Sequence, residues 1–248
     1  MARDLSGNTG DYLTHADASA LRVAFPISIG FWWKGTGHSN FTYILSKVLL
    51  AGDHPSYGFS FNASGELRFI IGWGTNPNDL TSTTGASGSG GVYDGGWHYV
   101  TGTYDGTTIW HYVDGSAMDS EPETRAIAYA ALPLFLGTFD GSILGAAGTV
   151  AELSIWNAAL STDDITSLVK GFAPTLVRPD KLVEYWPIVG TYSPEIDKVG
   201  AMDLTTNGTV LASEHTRMYY QTSSGARRNT TAVSVGSTKS QQLMPFFS

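Results

Sequence analysis

Two Asp-Gly pairs constrain the fold of this chain more than any other feature. Asp105-Gly106 separates two runs rich in aromatic and β-branched residues, 97–103 and 107–113, and Asp114-Gly115 ends the second run. An Asp-Gly pair readily supplies the positive backbone φ that a tight hairpin turn needs. The stretch 95–115 is therefore predicted to form a β-hairpin.

The composition favours a β fold with many tight turns. The 248 residues include 29 glycines, only 15% are charged, and no long helical pattern occurs. Sandwiches of this size commonly form one domain. Further strands are predicted at residues 25–34, 43–47, 57–61, 67–71, 132–137 and 150–157. A short helix is predicted after Ser161, which is a favourable N-cap followed by Asp163 and Asp164 in the first turn.

The residues of the hairpin also resemble a known family. The phrases that carry the resemblance are Asp94-Gly-Gly-Trp97-His98, Tyr104-Asp105-Gly106 and Tyr112-Val113-Asp114-Gly115, with Asp11-Tyr12-Leu13 near the start and Ile155-Trp156-Asn157 before the helix. In this order they resemble laminin-G-like, concanavalin A-like jelly-roll domains. The resemblance implies an all-β fold, a two-sheet antiparallel jelly-roll sandwich, and binding of glycans or proteins.

The resemblance also suggests where the domain ends. Residues 182–188 and the loop containing Asp197 resemble the strand and loop with which many relatives begin, so the strand that closes the sandwich is predicted to come from the C-terminal side. The jelly-roll domain is predicted to span 1–213. Residues 214–248 form an irregular C-terminal arm, which is either a disordered terminus or a segment anchored to a partner by Phe246 and Phe247.

Charge and composition exclude several partners. The net charge of −8 and the pI near 5.1 argue against nucleic-acid binding, which needs a basic surface. The absence of cysteine excludes disulfides and thiolate metal sites. No signal peptide and no run long enough to cross a membrane is recognised, so neither export by the usual route nor membrane insertion is expected.

The acidic residues give no support for catalysis. Related glucanases carry paired acids on one strand, because glycoside cleavage needs two carboxyl groups at one bond. The corresponding region here has only Glu152, and Glu121 and Glu123 flank Pro122 in what is predicted to be a solvated bend. No hydrolase, metalloprotease or phosphate-binding motif occurs. The chain is therefore predicted not to be an enzyme.

Calcium is the one metal that the resemblance raises. Many relatives hold a structural calcium between two chain segments, and Asp197 and Glu152 stand at the matching positions. Ala151 replaces an expected Asp, which lowers the charge available to bind the ion. A structural calcium and two separately hydrogen-bonded carboxylates both stay open, and no cofactor is required.

Aromatic and polar residues near loops provide candidates for sugar binding. The candidates are Trp32, Trp73, Tyr93, Trp110 and His111, and packing within the fold is the alternative for each. Trp33, Trp97 and Trp156 are predicted to be core residues. Trp73 and Tyr93 flank the stretch 76–91, which is predicted to be a long exposed loop, so these two are expected to be exposed.

These observations lead to two hypotheses of different classes. The first is a non-enzymatic phage virion protein, a capsid decoration or fibre-type module, that displays a lectin-like surface and is anchored to other virion subunits by its arm, as a homo-oligomer. The second is a free carbohydrate-binding lectin, which would be extracellular. A glycoside hydrolase is a distant third.

Overall fold

The computed structural model describes residues 2–8, 10–35, 37, 41–49, 54–74, 79–83, 85, 91–190, 193–216 and 218–220. They form two antiparallel sheets. Sheet 1 contains β1 (Ala2–Ser6), β3 (Ile27–Lys34), β8 (His98–Tyr104), β9 (Thr108–Val113), β10 (Ser116–Pro122), β12 (Ala147–Trp156), β13 (Leu182–Trp186) and β15 (Leu211–Ser213). Sheet 2 contains β2 (Tyr12–His15), β4 (Tyr43–Leu49), β5 (His54–Phe61), β6 (Leu67–Gly72), β7 (Leu80–Ser82), β11 (Leu134–Leu136) and β14 (Thr205–Asn207).

The two sheets pack face to face around one apolar core. The strand order is β10-β9-β8-β3-β12-β1-β15 in sheet 1, with β13 also paired to β12, and β14-β2-β11-β4-β5-β6-β7 in sheet 2. Phe31 of sheet 1 meets Phe59 of sheet 2 edge to face, with ring centroids 5.0 Å apart. The predicted antiparallel jelly-roll sandwich is confirmed.

The predicted hairpin is formed by β8 and β9. The carboxylate of Asp105 accepts hydrogen bonds from the backbone N–H groups of Thr107 and Thr108, at 2.7 and 2.8 Å. Asp114 and Gly115, with φ of 50° and 80°, make the next turn into β10. Both Asp-Gly pairs therefore supply the turns expected of them.

The described part of the stretch 76–91, residues 79–83, 85 and 91, contains a short strand where a loop was predicted. Residues of β7 lie inside it and pair with β6, with Ile70 opposite Ser82. The polar composition of this stretch suits a short strand at the edge of a sheet, where one side of the backbone faces no neighbour. The prediction of a loop throughout is therefore wrong at Leu80–Ser82.

Strand β12 has two partners along one side. Strand β3 pairs with β12 on the other side, from Thr149 to Ala151 and from Ser154 to Trp156. Strands β1 and β13 therefore lie in line, β1 opposite Thr149 and Val150 and β13 opposite Leu153 and Ser154. The strand predicted at 182–188 is therefore present. Between the two partners lies Glu152, in a β-bulge with φ of 55°.

One helix covers part of sheet 1. Helix α1 spans Thr162–Val169, and Ser161 caps it as predicted, accepting a hydrogen bond from the Asp164 backbone while the Asp164 side chain accepts one from the backbone of Ser161. Its buried Ile165 and Leu168 pack on the face of sheet 1 that points away from the core, called the outer face below. None of the described helices is long and apolar enough to cross a membrane.

The packed chain continues past the predicted domain boundary at 213. Tyr219 forms a parallel bridge with Phe172, just after α1, and Met218 packs against the apolar residues of the outer face. Phe246 and Phe247, the predicted anchors, lie outside the described residues.

Candidate functional site

The histidine of the family signature has a structural role. His98 hydrogen-bonds through Nδ1 to Asp114 at 2.7 Å and through Nε2 to Asp94 at 2.9 Å. Asp114 also accepts the backbone N–H of Tyr99 at 2.9 Å. Burial lowers the pKa of His98, but the two carboxylates outweigh it and raise this pKa overall. The histidine therefore ties the two ends of the β8–β9 hairpin together.

Three of the five predicted sugar-binding residues are buried. Trp32 is 6% exposed and packs edge to face on Tyr99, with ring centroids 5.3 Å apart. His111 is fully buried, and burial lowers its pKa to about 4. Tyr93, which was expected to be exposed, is only 9% exposed because its ring packs on Phe61 at 4.7 Å. In this structure none of the three presents a ring face to a ligand.

Trp73 is half-buried and covered on one face by its own chain. The guanidinium carbon of Arg125 lies 3.3 Å from the ring centroid, a cation–π contact. The indole Nε1 donates to Thr81 at 3.2 Å, and the Thr81 hydroxyl donates to Glu123. A sugar could stack on that face only by displacing Arg125.

Glu123 is not part of a solvated bend, contrary to prediction. Arg125 donates to the Glu123 carboxylate from Nε at 2.7 Å and from Nη2 at 2.6 Å. Glu123 is only 3% exposed. Burial alone would raise the pKa of Glu123, but the hydrogen bonds from Arg125, Thr81 and the backbone lower it to about 2. Glu121, two residues earlier, is exposed as predicted.

Trp110 presents an accessible aromatic surface. It is 37% exposed, the largest exposure among the tryptophans, and it lies on the outer face of β9. Tyr112, two residues later on the same face, has its ring within 26° of parallel to the indole, with centroids 6.3 Å apart. We call Trp110 and Tyr112 the aromatic pair.

Polar side chains border the aromatic pair. Thr103 of β8 and Ser120 of β10 are the cross-strand neighbours of Trp110, and Thr101 is the neighbour of Tyr112. Helix α1 and the described residues between 214 and 220 cover the outer face over β3, β12 and β13. Tyr112 is partly buried at the edge of this covered region, and Trp110 lies on the uncovered part. Sequence reasoning missed Tyr112, although its i, i+2 spacing from Trp110 on a strand places both rings on one face.

The two predicted calcium ligands have separate sets of partners, at opposite ends of Tyr185. The hydroxyl of Tyr185 donates to the Glu152 carboxylate, and its backbone N–H donates to Asp197 at 3.0 Å. Asp197 also accepts three more backbone N–H groups, those of Val199, Gly200 and Met202. Within the described ranges, no three His, Cys, Asp or Glu side chains are placed to hold a metal ion.

Asp197 forms a buried carboxyl pair with Glu184. Burial, and next the neighbouring Asp197 carboxylate, raise the pKa of Glu184 well above its ordinary value. Burial would also raise the pKa of Asp197, but hydrogen bonds from Glu184 and the backbone lower it. Both shifts favour a proton on Glu184 rather than on Asp197.

Comparison with known proteins agrees with this architecture. A family model described as the concanavalin A-like lectin/glucanases superfamily matches residues 6–166. A protein of Bacteroides ovatus to which carbohydrate binding has been attributed is similar with a TM-score of 0.62 and 14% identity, over 85% of this chain and 59% of that one. No curated protein matches the sequence.

Two further solved structures have the same fold. The binding domain of Paraclostridial Mosquitocidal Protein 1 has a TM-score of 0.55 and 13% identity, over 67% of this chain and 42% of that one. A heptameric pentraxin of Limulus polyphemus has a TM-score of 0.50 and 15% identity, over 68% and 81%. This chain spans 59% of the Bacteroides ovatus protein and 42% of the mosquitocidal protein. At these identities the likeness is one of fold.

Proposed function

Because the chain belongs to the concanavalin A-like lectin/glucanases superfamily, we propose that it is a non-enzymatic carbohydrate-binding domain whose ligand stacks on the aromatic pair. The observation that carries the proposal is the exposure of Trp110 beside Tyr112 on the uncovered part of the outer face. An aromatic ring offers a flat apolar surface to the C–H face of a sugar. Ser120 of β10, the cross-strand neighbour of Trp110, offers a hydroxyl group at the edge of the ring.

The charge of the protein favours a neutral saccharide. The net charge is −8, and the exposed Glu121 follows Ser120 on β10, next to the aromatic pair. An acidic sugar would be repelled by this field, whereas a neutral one would not. We therefore expect neutral hexose polymers, rather than sialylated or sulfated glycans, among the ligands.

The proposal of a binding domain, rather than an enzyme, rests on the acids of the site. Glu152, the acid at the position where glucanases carry theirs, is fully buried and engaged by Tyr185 and Tyr220. The cross-strand neighbours of the aromatic pair, Thr101, Thr103 and Ser120, carry hydroxyl groups and not the two carboxylates that glycoside cleavage needs. Membership of a virion and assembly into a homo-oligomer stay predictions from the sequence.

A glycan array with matched variants tests the proposal. The wild-type chain, Trp110→Ala and the control Phe41→Ala are compared. Phe41 is an exposed aromatic residue in the turn just before β4 of the other sheet. We expect neutral glycans to bind wild type and Phe41→Ala alike, and Trp110→Ala to bind at least about tenfold more weakly. Equal binding by Trp110→Ala would exclude the aromatic pair as the site.

A further inference from the structure

Residues 214–216 and 218–220 lie along the outer face of sheet 1, and we call the segment to which they belong the strap. They follow β15 directly, and residues 221–248 continue the chain beyond them. The strap fits a groove formed by Trp97, Glu152, Tyr185 and residues 171–173. Trp110, the exposed member of the aromatic pair, lies outside the apolar cluster to which Trp97 and Met218 belong.

Glu152 is the polar centre of the groove. Its Oε1 accepts the hydroxyl of Tyr220 at 2.7 Å, while the hydroxyl of Tyr185 donates to Oε2. His215 Nε2 lies 2.9 Å from Oε1, within ion-pair distance although not aligned for a linear hydrogen bond. Two of these three partners come from the strap. A fully buried carboxylate thus depends on the strap for most of its compensation.

The groove also recognises the backbone of the strap. The N–H of Tyr219 donates to the carbonyl of Gly171 at 2.6 Å, and its carbonyl accepts the N–H of Ala173 at 2.9 Å. This pairing is that of a short strand added in parallel to residues 171–173. The groove therefore has both features of a peptide-binding site, backbone pairing and side-chain selection.

Side chains on both sides of Tyr219 complete the fit. Met218 packs against the apolar residues of the outer face, and the imidazole of His215 lies over Trp97, with ring centroids 6.4 Å apart. The side chains that fill the groove are thus those of His215, Met218 and Tyr220. A segment held by so few contacts opens at a lower free-energy cost than the strands of the two sheets.

We propose that this groove is a peptide-binding site that takes the strap of its own chain and, when that strap is released, the same segment of a second copy. The contacts that the strap makes in the groove depend on its own residues and not on its covalent connection to β15. The bound strap competes with the incoming one, so the apparent affinity for an external segment equals the intrinsic affinity multiplied by the open fraction. Weakening the internal strap therefore increases binding of an external one.

A labelled peptide of residues 213–220 tests the proposal by fluorescence polarisation against the full-length chain. The variant Tyr220→Phe weakens the internal strap by one hydrogen bond to a charged group and leaves the groove intact. Such a bond corresponds to a factor of about 10 or more. We expect the peptide to bind Tyr220→Phe at least about tenfold more tightly than wild type. Glu214→Gln, at an exposed position of the strap, is the control and should bind the peptide like wild type.

A second peptide tests the role of Glu152 without changing the protein. The peptide that carries Tyr220→Phe should bind the Tyr220→Phe chain about tenfold more weakly than the native peptide does, because it lacks the hydroxyl that Glu152 accepts. A peptide with Glu214→Gln should retain its affinity. No binding to the Tyr220→Phe chain, equal binding to that chain and wild type, or equal binding of the native and Tyr220→Phe peptides would each overturn the proposal.

Discussion

Replacing Glu123 with Gln removes a buried charge that connects the two sheets. The carboxylate follows β10 of sheet 1 and accepts hydrogen bonds from Thr81 of β7 in sheet 2 and from Arg125. Gln keeps the shape and can still accept, but it cannot pair as an anion with the guanidinium. We expect the folded state to lose stability, and the loss to depend on pH.

The pKa of Glu123 gives the magnitude of this loss. A fall from 4.5 to about 2 corresponds to about 3.4 kcal/mol, at about 1.36 kcal/mol per pKa unit. The Arg125 side chain is 51% exposed, so water screens part of the interaction. We therefore expect Glu123→Gln to lower the free energy of unfolding by about 2 kcal/mol at neutral pH. In a chain of this size that is a fall in Tm of roughly 4–8 °C.

The pH dependence identifies the cause. The folded pKa lies below the unfolded one, so the contribution of Glu123 is present above about pH 4.5 and is lost as the pH falls through about 2. Urea unfolding of wild type and Glu123→Gln should differ at neutral pH and converge in acid. Glu121→Gln, at an exposed neighbouring site, is the matched control and should match wild type throughout. An equal loss in both variants, or a difference that persists at low pH, would refute the reasoning.

Two other substitutions test the carboxyl pair and the core. Because burial and Asp197 raise the pKa of Glu184, the stability that its proton supports is full below about pH 4.5 and is lost as the pH rises through the folded pKa. Glu184→Gln should therefore lose less stability between about pH 6 and pH 9 than wild type in urea unfolding; parallel curves would contradict this. Gly102→Ala would place a Cβ 2.4 Å from the ring of Phe69 and should cost about 1–3 kcal/mol by urea unfolding. Phe69→Leu in that background should cost less than it does alone, and simple additivity would argue against the steric cause.

Local chemistry made much of the fold predictable. The Asp-Gly turns, the Ser161 cap and the alternating strand of Ile27, Ile29 and Phe31 each depend on residues a few positions apart. Turn, cap and strand patterns are all encoded within such windows. The buried Trp33 and Trp156 were predicted correctly for the same reason.

The environment of single side chains was harder to predict, because it depends on distant segments. Glu121 and Glu123 look alike in sequence, yet only Glu123 meets Thr81 from another sheet. Tyr93 is buried by Phe61, and Glu152 by the strap, which is 68 residues away from it at Tyr220. The prediction of Trp97 as a core residue is wrong, because it lies half-buried on the outer face, where the ring of His215 from the strap is its neighbour. The polar composition of residues 214–248 predicts an irregular arm, but it does not indicate that the strap packs against sheet 1.

The location of the sugar site can be measured directly from the indole N–H signals in a proton–nitrogen NMR spectrum. The seven tryptophans give seven signals, and these residues are distributed over the core, the outer face and the Arg125 contact. Titration with the strongest neutral glycan from the array should shift the signal of Trp110 first and most, with that of Trp73 unchanged. A shift centred on Trp73 or Trp97, with Trp110 unmoved, would contradict the proposed site.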